Sequence, residues 1–370
     1  MKRKTKTIIL IVIGVLGSLF FYGKNNFEND KQTLLNLKSK AGNGETIYAL
    51  DKMEEIESLS NPLINFAYQK WKKNMYVRFI SNNEIIENTS GNKIVNDISN
   101  IYRDYWRTEL LKEKAENRTD TVLYKKLTNY ILSNNLTDLS KDSLSKTIKN
   151  DSELKKIIGR EGFKTKFLFR NGFQEVIIWD KETVNNYKVT LPKDTIKTTV
   201  VFIENYHLNG YDYYASFGSS QIGGWAIKES ATLYCNKGTY GLTSEKFKIS
   251  YLKHESLHFT DLNEYPNLSS ADLEYRAKII ELMYCSEQTV YDRIAQFLNG
   301  ASSKERTHSH SYANYILTKE MSKLLFNSEY ESDYNKWKNI SVEAINNAAE
   351  QLYNLSESNL LKDKKASKII

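Results

Sequence analysis

The chain of 370 residues is poor in cysteine, poor in histidine and nearly neutral beyond its first six positions. Its two cysteines, Cys235 and Cys285, exclude a disulfide-built scaffold and a cysteine-ligated zinc module, and nothing in the sequence requires them to pair. The formal net charge is +7, but Lys2, Arg3, Lys4 and Lys6 carry four of those seven charges. The three that remain, spread over the rest of the chain, make no electrostatic footprint for DNA or RNA, so no nucleic-acid partner is expected. Disorder throughout is excluded as well. Hydrophobic residues make up 40% and aromatics 12%, enough to build a sizeable core in two or three domains.

The first residues read as an address. After the basic start, Ile8–Tyr22 runs without a charge and is closed by Lys24. A positive start followed by an apolar run of this size is an export signal. A full helical span needs about 20 apolar residues and no fewer than about 17, so the run is borderline as an anchor. It ends Leu-Phe-Phe-Tyr-Gly-Lys, with no small-x-small cleavage site and no lipobox cysteine. The expectation is an uncleaved signal anchor at residues 8–22 that holds the protein to the membrane. The alternative is a cleaved signal peptide and a secreted or periplasmic product. Either way the body is expected outside the cytoplasm.

The body divides by pattern into a helical front and a β-then-α back, an α+β organisation. Residues 1–26 are the signal segment, 27–158 a mostly helical N-terminal region, 159–325 the catalytic domain and 326–370 a C-terminal helical segment. In the front, Asn92–Lys112 carries Ile94, Ile98, Ile101, Tyr102, Tyr105 and Leu110 at helical spacing, and Val122–Ser133 repeats the pattern. From residue 163 the pattern alternates instead. Phe163–Arg170 and Phe173–Trp179 flank Asn171-Gly172, the pair a type I′ hairpin turn prefers. Tyr187–Leu191, Thr198–Tyr206, Tyr211–Phe217 and a long Gly223–Cys235 complete an expected, mostly antiparallel sheet of about five strands. Helix is expected from Thr243 onward.

All five histidines lie between residues 207 and 310, and the first 206 residues contain none. Two of them stand in His254-Glu255-Ser256-Leu257-His258. On a helix, residues at i and i+4 share a face one turn apart, so both imidazoles can reach one metal ion. Glu255 lies to the side, placed to take a proton from a water rather than to bind the metal. Thr243 or Ser244 can cap this helix, and Pro266 and Asn267 bring the chain out of it. A lone helical histidine is more often a surface or core residue than a ligand; the paired spacing is what favours a zinc site.

A catalytic zinc takes three protein ligands and keeps a fourth position open. Glu264 stands where metzincins place their third ligand, but Asp261 occupies the position where they need a glycine. The next helix opens with Ser269-Ser-Ala-Asp272 and carries Glu274 and Glu281 two turns apart. Glu274, nearer the returning loop, is the expected ligand, and Glu281 is the alternative. Asp261 and the unused glutamate are expected to hold the histidines' other ring nitrogens. The plain alternative for either glutamate is a charged helix face paired with Arg276 or Lys278.

On His254, Glu255, His258 and the segment Asp272–Lys278, the sequence resembles the zinc metallopeptidases of the gluzincin-like group, over residues 160–320. The gap from His258 to Glu274 is short for that group, and Lys278 stands where an acid is usual. The resemblance implies zincin-type active-site helices and a zinc-dependent peptidase cutting protein or peptide substrates. In it, a zinc-activated water attacks the peptide carbonyl with Glu255 as general base. It also implies a donor for the oxyanion, for which His308, His310 and Tyr312 are candidates and His310 the choice. An edge strand within Gly223–Cys235 would let an extended substrate pair beside the motif. Two other readings stay open: a non-catalytic envelope or adhesion protein with an incidental motif, and a zinc hydrolase acting on another acyl bond.

Overall fold

Amphipathic spacing becomes helix throughout the front of the computed structural model, which describes residues 26–86 and 89–370. Helix α1 covers residues 26–42 and is followed by α2 (Thr46–Glu55), α3 (Pro62–Met75), α4 (Lys93–Leu110), α5 (Thr121–Ser133), α6 (Lys141–Thr147) and α7 (Ser152–Arg160). Helix α4 shows why they form. The Asn92 side chain caps it by accepting from Val95 N at 3.0 Å. Val95, Ile98, Tyr102, Tyr105, Trp106 and Leu110 then fall on one face and are buried. Each such side chain contributes about 1.5–3 kcal/mol by leaving water. The signal segment expected at residues 8–22 lies outside the described residues. Among the described residues, no helix is long and apolar enough to cross a membrane.

Five strands follow: β1 (Lys164–Arg170), β2 (Phe173–Thr190), β3 (Thr195–Asn209), β4 (Gly224–Ile227) and β5 (Thr232–Asn236). They lie in the order β1-β2-β3-β5-β4, so the chain combines helix and sheet in an α+β composition. The β1–β2 hairpin turns at Asn171-Gly172, whose φ values of 52° and 78° are those the turn requires. Three expectations need correcting. Tyr211–Phe217 is not a strand but helix α8 (Gly210–Ser216), because Glu175 accepts from Tyr211 N and starts a helical turn there. Gly223–Cys235 is not one strand. A 3-10 turn at Lys228–Ser230 and left-handed Ala231 (φ 44°) fold it into the β4–β5 hairpin. Phe173–Trp179 and Tyr187–Leu191 are also not two strands, since β2 runs unbroken from Phe173 to Thr190. In the sheet, expected to be mostly antiparallel, β1–β2 and β4–β5 pair antiparallel while β3 and β5 run parallel, joined by a crossover through α8 and β4.

The chain falls into two units. The first holds the described residues up to Lys181 with Asn205–Ile222, and the second holds Glu182–Glu204 and Gly223–Ile370. In the second, α9 (Glu245–Phe247) continues through a π-helical stretch, Lys248–Lys253, into α10 (His254–Glu264). Ser244 Oγ caps this run by accepting from Phe247 N at 3.2 Å. Helices α11 (Ser270–Tyr284), α12 (Glu287–Asn299), α13 (Ser309–Phe326), α14 (Tyr334–Trp337) and α15 (Val342–Lys362) complete it. Helix α11 is buried along nearly its whole length and packs on α10, α13 and α15. Val200, Phe202 and Leu233 of the sheet meet Phe247, Leu257 and Ile279 of the helices in one core. Cys235 and Cys285 are free and buried in it, and burial pushes their thiols up to about 12 and about 11.

Candidate metal centre

Helix α10 begins at His254, where the π-helical stretch gives way to regular winding. Such π-helical insertions re-aim side chains and recur at functional sites. The rings of His254 and His258 stand nearly perpendicular, 4.8 Å apart. Glu274, in the second turn of α11, faces them both. His254 Nε2 lies 3.4 Å from Glu274 Oε2, and His258 Nε2 lies 3.5 Å from Glu274 Oε1. Those separations exceed a good hydrogen bond. Each runs to a different oxygen of Glu274, and both are compatible with a shared metal ion, since a tetrahedral zinc with bonds of about 2.0–2.2 Å sets its ligand atoms about 3.4 Å apart. One ligand atom from each of the three residues lies within 4.8 Å of the others.

The surroundings prepare those atoms for a cation. His254 Nδ1 pairs with Glu281 Oε1 at 2.8 Å, which leaves Nε2 turned toward Glu274. Glu281 is held in turn by Arg293 Nη1 at 3.3 Å from Oε2. A carboxylate behind a histidine fixes its ring and raises its basicity, as in histidines that bind metals. Glu274 Oε2 is buried without a satisfactory hydrogen bond. His310 Nδ1 comes to 2.8 Å, but away from the direction a hydrogen bond needs. Lys278 Nζ is 3.8 Å away. His258 Nδ1 is likewise buried and unpartnered.

The charges respond accordingly. Burial lowers the pKa of His254, but the carboxylates of Glu274 and Glu281 outweigh it and raise the ring to about 10. Burial raises Glu274, yet His254, His258 and His310 hold it far below the usual carboxylate range. For Glu281, burial is again overcome, here by His254, and the pKa is lowered. Two buried acids around one imidazole thus attract positive charge strongly.

The other candidates are placed as follows. Glu255, half-buried in the first turn of α10, makes no hydrogen bond or ion pair among the described residues. Glu264 is exposed and pairs with Lys193 at 2.8 Å, outside the cluster. Asp261 does not support a histidine. It binds Arg276 through both oxygens, at 2.7 and 3.0 Å, since a buried guanidinium is the stronger partner. His310 reaches Glu274 with its side chain 71% exposed. His308 is exposed near Glu305, and Tyr312 lies under the Arg306 guanidinium. His207 is engaged by Asp180 and Thr89 in the first unit. Sequence reasoning missed Arg293, which stands twelve residues beyond Glu281 on another helix, a separation with no local signature.

The short strand β4 lies at the edge of the sheet. A Cβ at Gly224 would sit 2.5 Å from Tyr251 Oη, so the strand passes close to the turn before His254. Tyr251 donates to Tyr234 O at 2.7 Å, and its ring lies 4.9 Å from that of Tyr240.

Fold and site together define a mixed helix-and-sheet protein with a candidate metal group of two histidines and a glutamate. The chain matches no protein-family model, no curated protein and no solved structure.

Proposed function

We propose that the chain is a zinc-dependent peptidase acting outside the cytoplasm, with His254, His258 and Glu274 as metal ligands. The observation that carries this reading is the ligand-like spacing of 3.4 and 3.5 Å between the histidine nitrogens and Glu274, beside a buried Glu274 Oε2 that lacks a proper donor. Two nitrogens and one carboxylate are a zinc donor set, and Glu281 behind His254 completes it. When bound, zinc supplies a Lewis acid that polarises a carbonyl and acidifies water.

The remaining work falls to side chains. Glu255, without a hydrogen-bond partner among the described residues, accepts the proton of the attacking water on its carboxylate and delivers it to the leaving amine nitrogen. His310, exposed and next to Glu274, donates to the oxyanion that develops on the substrate. Edge strand β4 offers backbone groups to an extended peptide, and Gly224 keeps it close to Tyr251.

The test is Glu255→Gln in the full-length protein. It should keep its zinc and lose about 10²–10⁴-fold of its hydrolysis of an unstructured protein substrate. Unchanged turnover would remove Glu255 as the base. Wild-type protein that holds zinc yet cleaves no peptide would refute the peptidase reading while leaving the metal site standing.

A further inference from the structure

Helix α3 and the π-helical stretch Tyr76–Ile80 that continues it hold Lys70, Lys72, Lys73 and Arg78 and no acidic residue. Their inner side is fastened to the first unit. Tyr68, Trp71, Met75 and Phe79 are buried in its core, and Tyr68 Oη donates to Ile56 O at 2.8 Å. Lys72 Nζ donates to the same carbonyl at 3.1 Å, and Arg78 is taken by Glu84 through bonds of 2.5 and 2.6 Å.

The outer side is of another kind. Leu63 and Phe66 are each 75% exposed, Tyr76 58% and Ile80 53%. With Lys70 and Lys73 they succeed one another at intervals of three and four residues, which on a helix makes one stripe. Both lysines are exposed and make no ion pair among the described residues. Apolar side chains exposed singly are ordinary, but four along one stripe mark a surface of contact. The stripe begins beside α1. Asn61, whose side chain caps α3, donates its backbone N–H to Asp30 Oδ2 at 2.5 Å. Asp30 stands eight residues beyond Tyr22, where the uncharged apolar run ends, and that length of chain reaches no more than about 30 Å.

We propose that this stripe lies on the surface of an anionic lipid bilayer. Leu63, Phe66, Tyr76 and Ile80 enter the boundary between headgroups and acyl chains, while Lys70 and Lys73 reach lipid phosphates over their apolar stems. Charge selects this occupant. The run Ile8–Tyr22 has no acid to set against the two lysines, and a second copy placed face to face would set lysine against lysine. Headgroups answer both lysines, and a bilayer that takes up the apolar run passes within reach of the start of α3. The surface belongs to the first unit and is independent of the metal centre.

Spin labelling of the full-length protein tests this. Phe66→Cys takes a nitroxide selectively, since Cys235 and Cys285 are buried. In nanodiscs of about two parts phosphatidylcholine to one of phosphatidylglycerol, the label should collide more often with oxygen than with a water-soluble nickel chelate. Adding Lys70→Glu and Lys73→Glu should remove most of that preference. Leu63→Cys, at an equally exposed position, repeats the measurement and carries it if the Phe66 variant fails to fold. A label open to the nickel chelate overturns the proposal. So does a label shielded from both reagents, which would mean a cover of protein, whether residues 8–22 or a partner. Spin–spin broadening, the mark of a second copy, or lipid exposure indifferent to the two lysines would overturn it as well.

Discussion

Two buried polar clusters join α10 to α11, and they are partnered to different degrees. Around Arg276, fully buried, every charge is answered. Asp261 takes two of its bonds, Glu357 accepts at 2.8 Å and Ser356 at 2.7 Å. Glu357 also receives Lys193 at 2.7 Å and Tyr265 Oη at 2.5 Å. Around Glu274, two residues away along α11, the nitrogens of His254 and His258 stop at 3.4 and 3.5 Å, Glu274 Oε2 has charged groups near it but no well-directed hydrogen bond, and His258 Nδ1 has no hydrogen-bond partner. Proteins satisfy the large majority of their buried polar side-chain groups. The closed cluster is therefore read as a fastening and the open one as a site. Asp261 is three residues past His258 and Arg276 two past Glu274, so the fastening also sets the register in which the ligands meet.

The largest effect should come from breaking the closed cluster. Arg276→Met strands Asp261 as a buried charge and takes one of its partners from Glu357, which keeps Lys193 and Tyr265, and should cost about 3–5 kcal/mol in urea denaturation. A loss well below 1 kcal/mol would erase the distinction between the clusters. Next is the support of the open one. Glu281→Gln weakens the hold on His254 Nδ1 and should reduce zinc affinity by about 10–100-fold without abolishing binding, read by competition with a chelator. Complete loss of zinc would make Glu281 a ligand rather than a support.

The smallest effect sharpens the contrast from the first unit, where Asp151 makes no ion pair among the described residues and lies near Asp120, Tyr102 and Tyr124. Burial, reinforced by Asp120, raises its pKa to about 6. The folded state holds this proton more tightly than the unfolded one. The associated stability is therefore complete below about pH 4 and is lost as pH rises through about 6. Asp151→Asn, which suits the left-handed backbone there (φ 60°), should stabilise the protein at pH 7 by about 1 kcal/mol after allowing for solvent screening. The gain should shrink at pH 4; equal gains at both pH values would assign it to backbone preference instead.

What could be read from sequence was local and periodic. The i,i+4 histidines, the two-turn interval between Glu274 and Glu281, the Asn171-Gly172 turn and the apolar face of α4 each rest on spacing along one element. What escaped depended on distant partners. Tyr211–Phe217 has strand-like composition, but Glu175 and Asp212, gripped by Arg170, turn it into a helix. Gly223–Cys235 alternates like one strand, and the turn at Lys228–Ser230 with left-handed Ala231 breaks it into two. Asp261 stands at a natural distance to steady a histidine, but Arg276 claims it from the next helix. Competition among partners for one buried charge leaves no periodic trace.

The central claim is that the open cluster is a metal centre, and zinc content tests it most directly. Full-length protein purified without chelator should carry about one zinc per chain by elemental analysis, and Glu274→Gln prepared in parallel should carry far less. Wild-type protein with well under one zinc per chain, or a Glu274→Gln variant with undiminished metal, would contradict the account.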